Sequence, residues 1–421
     1  MSVVERPRGT RDFDPRRQAV YDGVLSVVRR VFESYGYGRV TTPTFEHVEL
    51  FTKKSGEDIS EHLYVFTDKS ERKLCLRPEA TASVARFFAQ DLRNSPLPLR
   101  LWYFAPMFRY ERPQKGRYRE FWQMGLELLG AKGVESDAEA VLVASDAMKE
   151  LGLAYRLELN HVGILRGLLT DLSIPVEKHE HILHLIDTGE EKALLDETGS
   201  EALASILSLK GGPDIAEKAR KTLAIYPTAL AGLEELIAVA NKLAKAGAPY
   251  TLNLGIARGL AYYTGLVFEV RVEGLGAQNQ VCGGGRYDNL IELFGGPQTP
   301  AVGFAFGFDR IVEALEMQNK LPTTPTPDVL VMAATEELRP IASEVAFTLR
   351  RESEHALSVV YDVAGKKLGK NLEYAASAGF KYAVIVGPRE WAEGNVVVRD
   401  LTSGTEERLT PKKAAEKILR R

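Results

Sequence analysis

Residues 99–129 have the sequence LRLWYFAPMFRYERPQKGRYREFWQMGLELL and predict a long β-hairpin. The pattern has a period of two over residues 99–110 and again over residues 118–129, and the segment between them is polar and rich in arginine. Successive side chains of a strand point to opposite faces, so alternate residues share a face. The two segments therefore predict an antiparallel pair of strands joined by a polar turn.

One face of this predicted hairpin is polar. It carries Arg109, Glu111, Gln123 and Glu127, and Gly125 leaves space among them. The turn adds three further positive charges, Arg112, Lys115 and Arg117. A guanidinium presents a planar fork of donors that suits phosphate, so this face suits an anionic ligand with a polar organic part. A solvated hairpin face is the alternative that this segment alone leaves open.

The sequence around the hairpin predicts helices, strands and an insertion. Asp14-Pro15 is typical of a helix start, and valines at helical spacing follow as far as Gly36. Residues 170–248 are rich in Leu, Ala, Glu and Lys and predict a helical insertion. Glycine-rich, strand-like sequence resumes over 250–308, and a helix follows over 309–319.

A proline-rich segment divides the chain into two predicted domains. Residues 321–327, LPTTPTP, contain three prolines and no charge, which is typical of a semi-rigid linker. We therefore expect one domain over 1–325 and a second over 326–421. In the second domain three predicted strands, 328–334, 357–363 and 382–387, alternate with helical segments, 335–352 and 367–379. This alternation predicts a small α/β domain with a mostly parallel sheet.

Composition excludes several classes of protein. The chain has 421 residues, 45% of them hydrophobic, and is therefore neither disordered nor collagen-like. It carries 54 Lys and Arg against 57 Asp and Glu, so net charge does not by itself indicate nucleic acid. Cys75 and Cys282 are too few for a disulfide framework and indicate a reducing, cytosol-like compartment. No apolar run is long enough to span a membrane.

A histidine cluster in the insertion weakly resembles a metal site. It consists of His179, His181 and His184. On a helix His179 and His181 would lie about 200° apart, whereas zinc needs three or four convergent ligands. We therefore expect a solvated helix face there and no metal held mainly by the protein.

Three further segments combine arginine, tyrosine and glycine. Residues 258–263 read RGLAYY, residues 282–288 read CGGGRYD, and residues 303–310 read GFAFGFDR. The glycines let a backbone approach a ligand closely, and Arg310 could stack on a base or bind phosphate. Neither glycine segment has the Lys-Ser/Thr ending of a phosphate loop. Each segment taken alone is also compatible with ordinary core packing.

Together these segments resemble the class II aminoacyl-tRNA synthetases. Residues 8–15 are similar to the opening segment of the histidyl-tRNA synthetases, and the helix and strand that end at Pro43 resemble class motif 1. Residues 108–123 resemble motif 2, and residues 303–310 resemble motif 3.

Two of the segments resemble histidine-specific signatures, which narrows the resemblance to the histidyl-tRNA synthetase family. They are residues 258–263 and residues 284–288. The chain departs from the family at one position of these signatures, Ala261, where the family usually has Asp.

The resemblance implies an α+β catalytic domain, in which helices flank an antiparallel sheet, and a tail domain that binds the anticodon. It implies that L-histidine and ATP give histidyl-adenylate and pyrophosphate, after which histidine passes to the 3′ end of its tRNA. Mg²⁺ should accompany ATP and be held largely by phosphates and water. Motif 1 implies a homodimer, and we expect a cytoplasmic enzyme without a membrane partner.

The resemblance also assigns site residues. Arg109 and Arg258 would be catalytic and would grip the α-phosphate and the histidine carboxylate. The residues expected at ATP are Arg109, Glu111, Arg112 and Arg310. The residues expected at histidine are Glu79, Ala80, Thr81, Arg109, Gln123, Glu127, Arg258, Tyr262, Tyr263 and Tyr287.

Two other functions remain as alternatives. One is a non-catalytic, synthetase-like regulatory subunit of ATP phosphoribosyltransferase. Such proteins typically lack the tail domain and lose the RGLxYY segment, and this chain has both. The other is a class II synthetase for a different amino acid, against which Glu127 and the Tyr262-Tyr263 pair argue.

Overall fold

The computed structural model describes residues 4–55, 57–111, 117–256, 262–276 and 279–420, which form two compact units. The first unit ends at Pro322 and the second begins at Thr323. The division falls inside the proline-rich segment 321–327.

The strands described in the first unit form one large and one small sheet. They are β1 (Gly38–Arg39), β2 (Phe45–His47), β3 (Val65–Thr67), β4 (Lys73–Leu76), β5 (Leu99–Phe108), β6 (Glu120–Leu129), β7 (Arg156–His161), β8 (Lys210–Gly211), β9 (Thr251–Asn253), β10 (Leu266–Arg271), β11 (Gln280–Arg286) and β12 (Ala301–Gly307). The large sheet has nine strands in the order β1-β5-β6-β12-β11-β10-β7-β9-β8, and the small sheet has the order β2-β4-β3.

The centre of the large sheet is antiparallel, as the sequence predicts. From β5 to β7 every neighbouring pair is antiparallel, whereas β1 pairs with β5 and β9 with β7 in parallel. The two parallel pairs arise because long segments containing helices connect those strands, whereas a tight turn would enforce an antiparallel return. In the hairpin, Leu99 pairs with Leu129 and Phe108 with Glu120.

Helices of the first unit pack around this sheet. They are α1 (Pro15–Ser34), α2 (Val48–Ser55), α3 (Thr81–Phe87), α4 (Val134–Glu150), α5 (Val162–Asp171), α6 (Val176–Thr188), α7 (Glu191–Thr198), α8 (Glu201–Ser208), α9 (Asp214–Leu223), α10 (Pro227–Lys245), α11 (Leu290–Leu293) and α12 (Phe308–Met317). Short helical turns also occur at Glu57–His62 and Phe88–Leu92. The segment predicted as a helical insertion, 170–248, contains helices α6 to α10 and strand β8.

Helix α1 shows how local sequence produces a packed element. The Asp14 carboxylate accepts a hydrogen bond from the Arg17 backbone N–H at 2.7 Å, and Pro15 occupies the first helical position. Valines on one side of the helix are buried in the main core, where Phe32 packs edge-on against Trp102 of β5. The core therefore lies on the apolar face of the hairpin, and the polar face is left for a site.

The second unit has a five-stranded sheet. Its strands are β13 (Val329–Ala333), β14 (Val359–Tyr361), β15 (Tyr382–Val386), β16 (Val396–Asp400) and β17 (Glu406–Leu409). Its helices are α13 (Arg339–Glu352), α14 (Leu368–Ser377), α15 (Pro388–Ala392) and α16 (Pro411–Leu419), with a short turn at Glu336–Leu338.

The three strands predicted in this unit are parallel neighbours, and two strands that the sequence did not predict are antiparallel. The order is β14-β13-β15-β16-β17, in which β15 pairs with β16, and β16 with β17, in antiparallel fashion. A short turn joins β16 to β17, and Gly404 in this turn has a φ of 74°. Such a short connection can only reverse the chain, so the sheet is mixed.

Within the described residues, no helix is long and apolar enough to cross a membrane.

Candidate active site

A cavity of about 520 Å³ opens on the polar face of the large sheet. Many of the residues that the sequence singled out line this cavity. They are Glu79, Thr81, Arg109, Glu111, Gln123, Tyr262, Tyr263, Tyr287 and Arg310. The hairpin, the loop before α3, the end of β11 and the start of α12 therefore meet at one place.

Glu127 lies beneath the floor of this cavity. The residue is 1% exposed, and its Oε2 atom accepts a hydrogen bond from the Tyr287 hydroxyl. A Cβ atom at position 303 would lie 2.9 Å from Glu127 Cδ, so glycine at 303 makes room for the carboxylate. Burial, followed by the charge of Glu127, raises the pKa of Tyr287 well above its ordinary value. The phenol therefore stays protonated and acts as the donor.

Three tyrosine rings form one wall of the cavity. The centroids of the Tyr262 and Tyr263 rings are 4.3 Å apart, and those of Tyr262 and Tyr287 are 6.3 Å apart. A Cβ at Gly285 would lie 3.0 Å from the Tyr263 ring. Glycine at 285 therefore makes room for the Tyr263 ring and not for a ligand. Of the three consecutive glycines, 283–285, it is Gly283 that lines the cavity.

Tyr103 is a residue of this region that the sequence analysis did not single out. It is 3% exposed, and its hydroxyl makes no hydrogen bond of good geometry with any residue that the structure describes. A Cβ at Gly125 would lie 2.6 Å from Tyr103 Cζ, so the Tyr103 ring fills the space predicted above Gly125. The alternation in β5 could have placed Tyr103 on the polar face, because it pairs with Gly125.

The loop before α3 presents Glu79 and Thr81 to the cavity. The Glu79 carboxylate accepts hydrogen bonds from the backbone N–H groups of Thr81, at 2.6 Å, and Ala82, at 3.1 Å. These bonds hold the carboxylate at the N-terminus of α3, where the helix dipole favours negative charge. Ala80 is buried in the core, so its side chain does not line the cavity.

Arg109 is held at the edge of the hairpin. Its Nε donates to the Pro78 carbonyl at 3.1 Å, and its guanidinium lies 5.2 Å from the centroid of the Phe121 ring. Burial lowers the pKa of Arg109, while the neighbouring Glu111 opposes the shift. Glu111 itself lies 3.4 Å from a guanidinium nitrogen of Arg117. The Arg109 guanidinium nevertheless stays charged at physiological pH, because the ordinary pKa of arginine is above 12.

Arg310 lies in the first turn of α12 and also lines the cavity. Its guanidinium forms an ion pair of 3.0 Å with Glu313. The preceding residue, Asp309, also lines the cavity and was not predicted. It accepts hydrogen bonds from the Trp122 backbone N–H at 2.7 Å and from the Tyr21 hydroxyl at 2.5 Å, and it pairs with Arg11.

The arginine of the CGGGRYD segment does not line the cavity. Arg286 is buried and donates to the Asp137 carboxylate, to Ser136 Oγ and to the Ala131 carbonyl. These hydrogen bonds connect the end of β11 to the start of α4, so Arg286 stabilises the fold. Its neighbour Tyr287 lines the cavity. Charge alone could not distinguish Arg286 from Arg310 in the sequence.

Some predicted residues lie outside the described ranges. Arg258 and Arg112 are among them, as is Ala261, the departure from the family pattern. The prediction of a solvated helix face for the histidine cluster is wrong for His179, which is buried with Nε2 2.9 Å from the Ile174 carbonyl. His181 and His184 are exposed, and His181 pairs with Glu197. Across the ranges that the structure describes, no group of three or more His, Cys, Asp or Glu residues is placed to share a metal ion.

The fold and the site define a class of protein. An antiparallel sheet carries a cavity with arginines at its edge, and solved structures that share this fold include class II histidyl-tRNA synthetases. The family model for histidyl-tRNA synthetase matches residues 9–311, and the model for an anticodon binding domain matches residues 328–421. The chain belongs to the histidyl-tRNA synthetase family.

Relatives of similar length support this assignment. The chain is 45% identical to the histidine–tRNA ligase of Archaeoglobus fulgidus, over 94% of this chain and 95% of that protein. It is 42% identical to the histidine–tRNA ligase of Methanocaldococcus jannaschii, over 96% of each chain.

Solved structures share the fold over nearly the whole chain. The crystal structure of histidyl-tRNA synthetase from a Nostoc species has a TM-score of 0.83 and 25% identity, covering 100% of both chains. A structure described as an ATP phosphoribosyltransferase regulatory subunit/histidyl-tRNA synthetase from Bacillus halodurans has a TM-score of 0.78 and 26% identity. It covers 92% of this chain and 99% of that one.

Proposed function

We propose that the cavity on the large sheet is where this chain, acting as a histidine–tRNA ligase, activates L-histidine with ATP. Histidyl-adenylate forms first, with release of pyrophosphate, and histidine then passes to the 3′-terminal ribose of its tRNA. The observation that carries the proposal is the buried Glu127 carboxylate, hydrogen-bonded to Tyr287 beneath a cavity whose edge carries Arg109 and Arg310. A carboxylate there suits an imidazole N–H, and the arginines suit phosphate.

The first step needs positioning and positive charge, and it needs no protein nucleophile. Negative charge develops at the α-phosphate as the histidine carboxylate attacks it. Arg109 and Arg258 are assigned to the α-phosphate and the carboxylate, because preorganised positive charge stabilises such a transition state most effectively. Arg310 is assigned to the adenine and outer phosphates, and Glu111 with Arg112 to the nucleotide. Arg109, Glu111 and Arg310 all line the cavity.

The amino acid is held at the buried end. Glu79 and Thr81 offer a carboxylate and a hydroxyl to the α-ammonium group, and Gln123 lines the same wall. The Gln123 Oε1 atom is buried and has no hydrogen-bond partner within the described part of the chain, so it is an acceptor suited to an ammonium. Glu127 with Tyr263 and Tyr287 is assigned to the imidazole. A site that satisfies a ring N–H with a buried acceptor strongly rejects side chains that lack this donor.

Mg²⁺ is expected as the companion of ATP. Glu111 is a carboxylate at the nucleotide edge of the cavity, and its neighbours Arg109 and Arg117 are cationic, whereas the Asp309 carboxylate is already engaged by protein donors. Such a site can supply Mg²⁺ with at most one or two protein ligands. An ion held mainly by phosphate oxygens and water fits it, and when bound the ion would neutralise charge on the outer phosphates.

The remaining assignments concern the whole protein. We assign residues 1–325 to catalysis and 326–421 to the tRNA anticodon, which the matching anticodon-domain model supports. An exposed pair of rings, Phe45 and Phe66, lies 6.3 Å apart on the small sheet and supports an apolar contact between two copies in a homodimer. A cytoplasmic location agrees with two buried cysteines that form no disulfide.

The regulatory subunit is not favoured. The chain matches both the synthetase model and the anticodon-domain model, and its relatives at 42–45% identity are histidine–tRNA ligases.

Exchange of labelled pyrophosphate into ATP tests the proposal with each amino acid in turn. We expect exchange with histidine alone. Folded protein that exchanges with no amino acid would favour a regulator, and exchange with another amino acid would reassign the pocket. Arg258→Ala should nearly abolish exchange while calorimetric histidine binding persists, and wild-type exchange in this variant would remove Arg258 from the catalytic set.

A further inference from the structure

We propose that Arg11, near the N-terminus, is a positioning residue for the nucleotide end of the cavity and acts through Asp309. The inference rests on the proposed function, because it concerns the binding of ATP. Four parts of the chain meet at the Asp309 carboxylate: the segment before α1, helix α1 itself, the start of β6 and the first turn of α12.

The Asp309 carboxylate is buried and receives donors on both oxygens. Oδ2 accepts from the Trp122 backbone N–H at 2.7 Å, and Oδ1 accepts from the Tyr21 hydroxyl at 2.5 Å. A guanidinium nitrogen of Arg11 also donates to Oδ1. Asp309 is 4% exposed, so these donors offset the cost of burying its charge.

Arg11 makes a second contact, which does not involve Asp309. Its guanidinium carbon lies 3.4 Å from the centroid of the Tyr118 ring, a distance typical of close stacking. Tyr118 lines the cavity, and its neighbour Arg119 donates its backbone N–H to the Gly9 carbonyl at 2.9 Å. One side chain of the N-terminal segment therefore joins the start of α12 to the residues that lead into β6.

Both ends of this connection carry groups assigned to ATP. Arg310 directly follows Asp309, and the Arg119 guanidinium donates to the Glu111 carbonyl at 3.2 Å. Functional side chains need support that holds them within about half an ångström of their working geometry. Loss of Arg11 would loosen the nucleotide end. Glu127, near the opposite end of β6 from Trp122, and Tyr287, directly after β11, are hydrogen-bonded to each other, so the histidine end should be little affected.

The test compares Arg11→Ala, Arg11→Lys and a control, Arg17→Ala, in histidine-dependent pyrophosphate exchange. Arg17 lies on the adjacent helix, pairs with Glu316 at 3.4 Å and is 5.5 Å from the Tyr21 ring, so it matches Arg11 in charge and region. For Arg11→Ala we expect KM for ATP to rise roughly tenfold, the size of one lost charge-assisted contact, while KM for histidine changes less than about twofold.

Arg11→Lys separates the two contacts of Arg11. A lysine can still pair with Asp309 but cannot stack its planar group on Tyr118, so KM for ATP should rise by an intermediate factor of about three. Arg17→Ala should resemble the wild type. If Arg11→Ala does not fold, Arg11→Lys alone carries the test.

Two results would overturn the proposal. One is an unchanged KM for ATP in a folded Arg11 variant, even one with a lower melting temperature, because Arg11 would then only stabilise the fold. The other is an equal rise in both KM values. Wild-type protein without histidine-dependent exchange would instead refute the proposed function. Calorimetric ATP binding would then test Arg11 without any amino acid, and an unchanged Kd in Arg11→Ala would refute the positioning role.

Discussion

Glu127, beneath the floor of the cavity, and Asp309, in its lining, are both buried carboxylates, and they have different partners. Glu127 lies in strand β6 and accepts from the phenol of Tyr287, next to a wall of tyrosines. Asp309 opens helix α12 and accepts from a guanidinium, a phenol and a backbone N–H. Burial alone therefore does not identify a binding residue. Both carboxylates take donors from the protein, and the difference lies in what those donors do: Tyr287 belongs to the wall of the cavity, whereas Arg11, Tyr21 and Trp122 bring separate segments of the chain together at Asp309.

Among the substitutions that test this comparison, Glu127→Gln should have the largest effect on activity. We expect kcat/KM for histidine to fall roughly 100- to 1,000-fold, because a charge-assisted hydrogen bond is lost and a ring N–H then meets a weaker acceptor. KM for ATP should change little. Pyrophosphate exchange at varied histidine measures the effect, with Glu120→Gln on the same strand as control. A loss of less than about threefold would remove Glu127 from histidine recognition.

Asp309→Asn should lower stability and, because Arg11 acts through this carboxylate, should also raise KM for ATP. An amide is neutral and leaves the partly buried Arg11 charge without its carboxylate, so we expect the free energy of unfolding to fall by about 2–4 kcal/mol. Urea unfolding measures this change. Asp22→Asn, at an exposed position of α1, should cost less than about 0.5 kcal/mol. Equal effects of the two substitutions would mean that the Asp309 contacts are dispensable.

Tyr287→Phe should have a smaller effect than loss of the carboxylate itself. The variant keeps the ring and removes the hydroxyl that orients Glu127, so kcat/KM for histidine should fall about tenfold, with little change in KM for ATP. Tyr226→Phe, in the insertion, serves as the control. If Tyr287→Phe lowered activity as much as Glu127→Gln, the hydroxyl rather than the carboxylate would be the principal contact.

The smallest expected effect concerns the two thiols. Burial raises the pKa of Cys75 to about 12 and also raises that of Cys282, whereas an unfolded cysteine titrates near 9. The thiolate is the reactive form, so native protein at pH 8 should react only slowly with a disulfide reagent such as Ellman's, while unfolded protein reacts at both cysteines. Rapid labelling of the native protein would contradict this burial.

The same pKa shifts give a sign for the effect of pH on stability. The folded chain holds these protons more tightly than the unfolded chain does. The contribution to stability is therefore complete below about pH 9 and declines as the pH rises above it. Urea unfolding at pH 8 and pH 10 checks the direction.

Much of the site could be predicted because its pattern is local. Alternation along the hairpin put Arg109, Gln123 and Glu127 on one face, and the same two strands pair as predicted. Strands β16 and β17 were missed because their residues mix charge with apolar side chains in short runs. Tyr103 was missed because an aromatic residue in a strand is usually part of the core.

Asp309 shows the limit of local patterns most clearly. Two of its donors, Arg11 and Tyr21, lie 298 and 288 positions away in the chain. No spacing rule connects residues so far apart, and a single sequence does not show which of its many aspartates is buried.

The amino-acid sequence by itself determined the periodicity of the strands, the helix starts, the proline-rich boundary and the residue types that the chemistry needs. Those properties depend on neighbours within a few positions. Only the tertiary structure decided that Arg310 faces the cavity while Arg286 is fixed to Asp137, and that Glu127 and Asp309 take different partners. These choices depend on which distant segments pack together, because the same charge can bind a ligand or stabilise the fold according to what surrounds it.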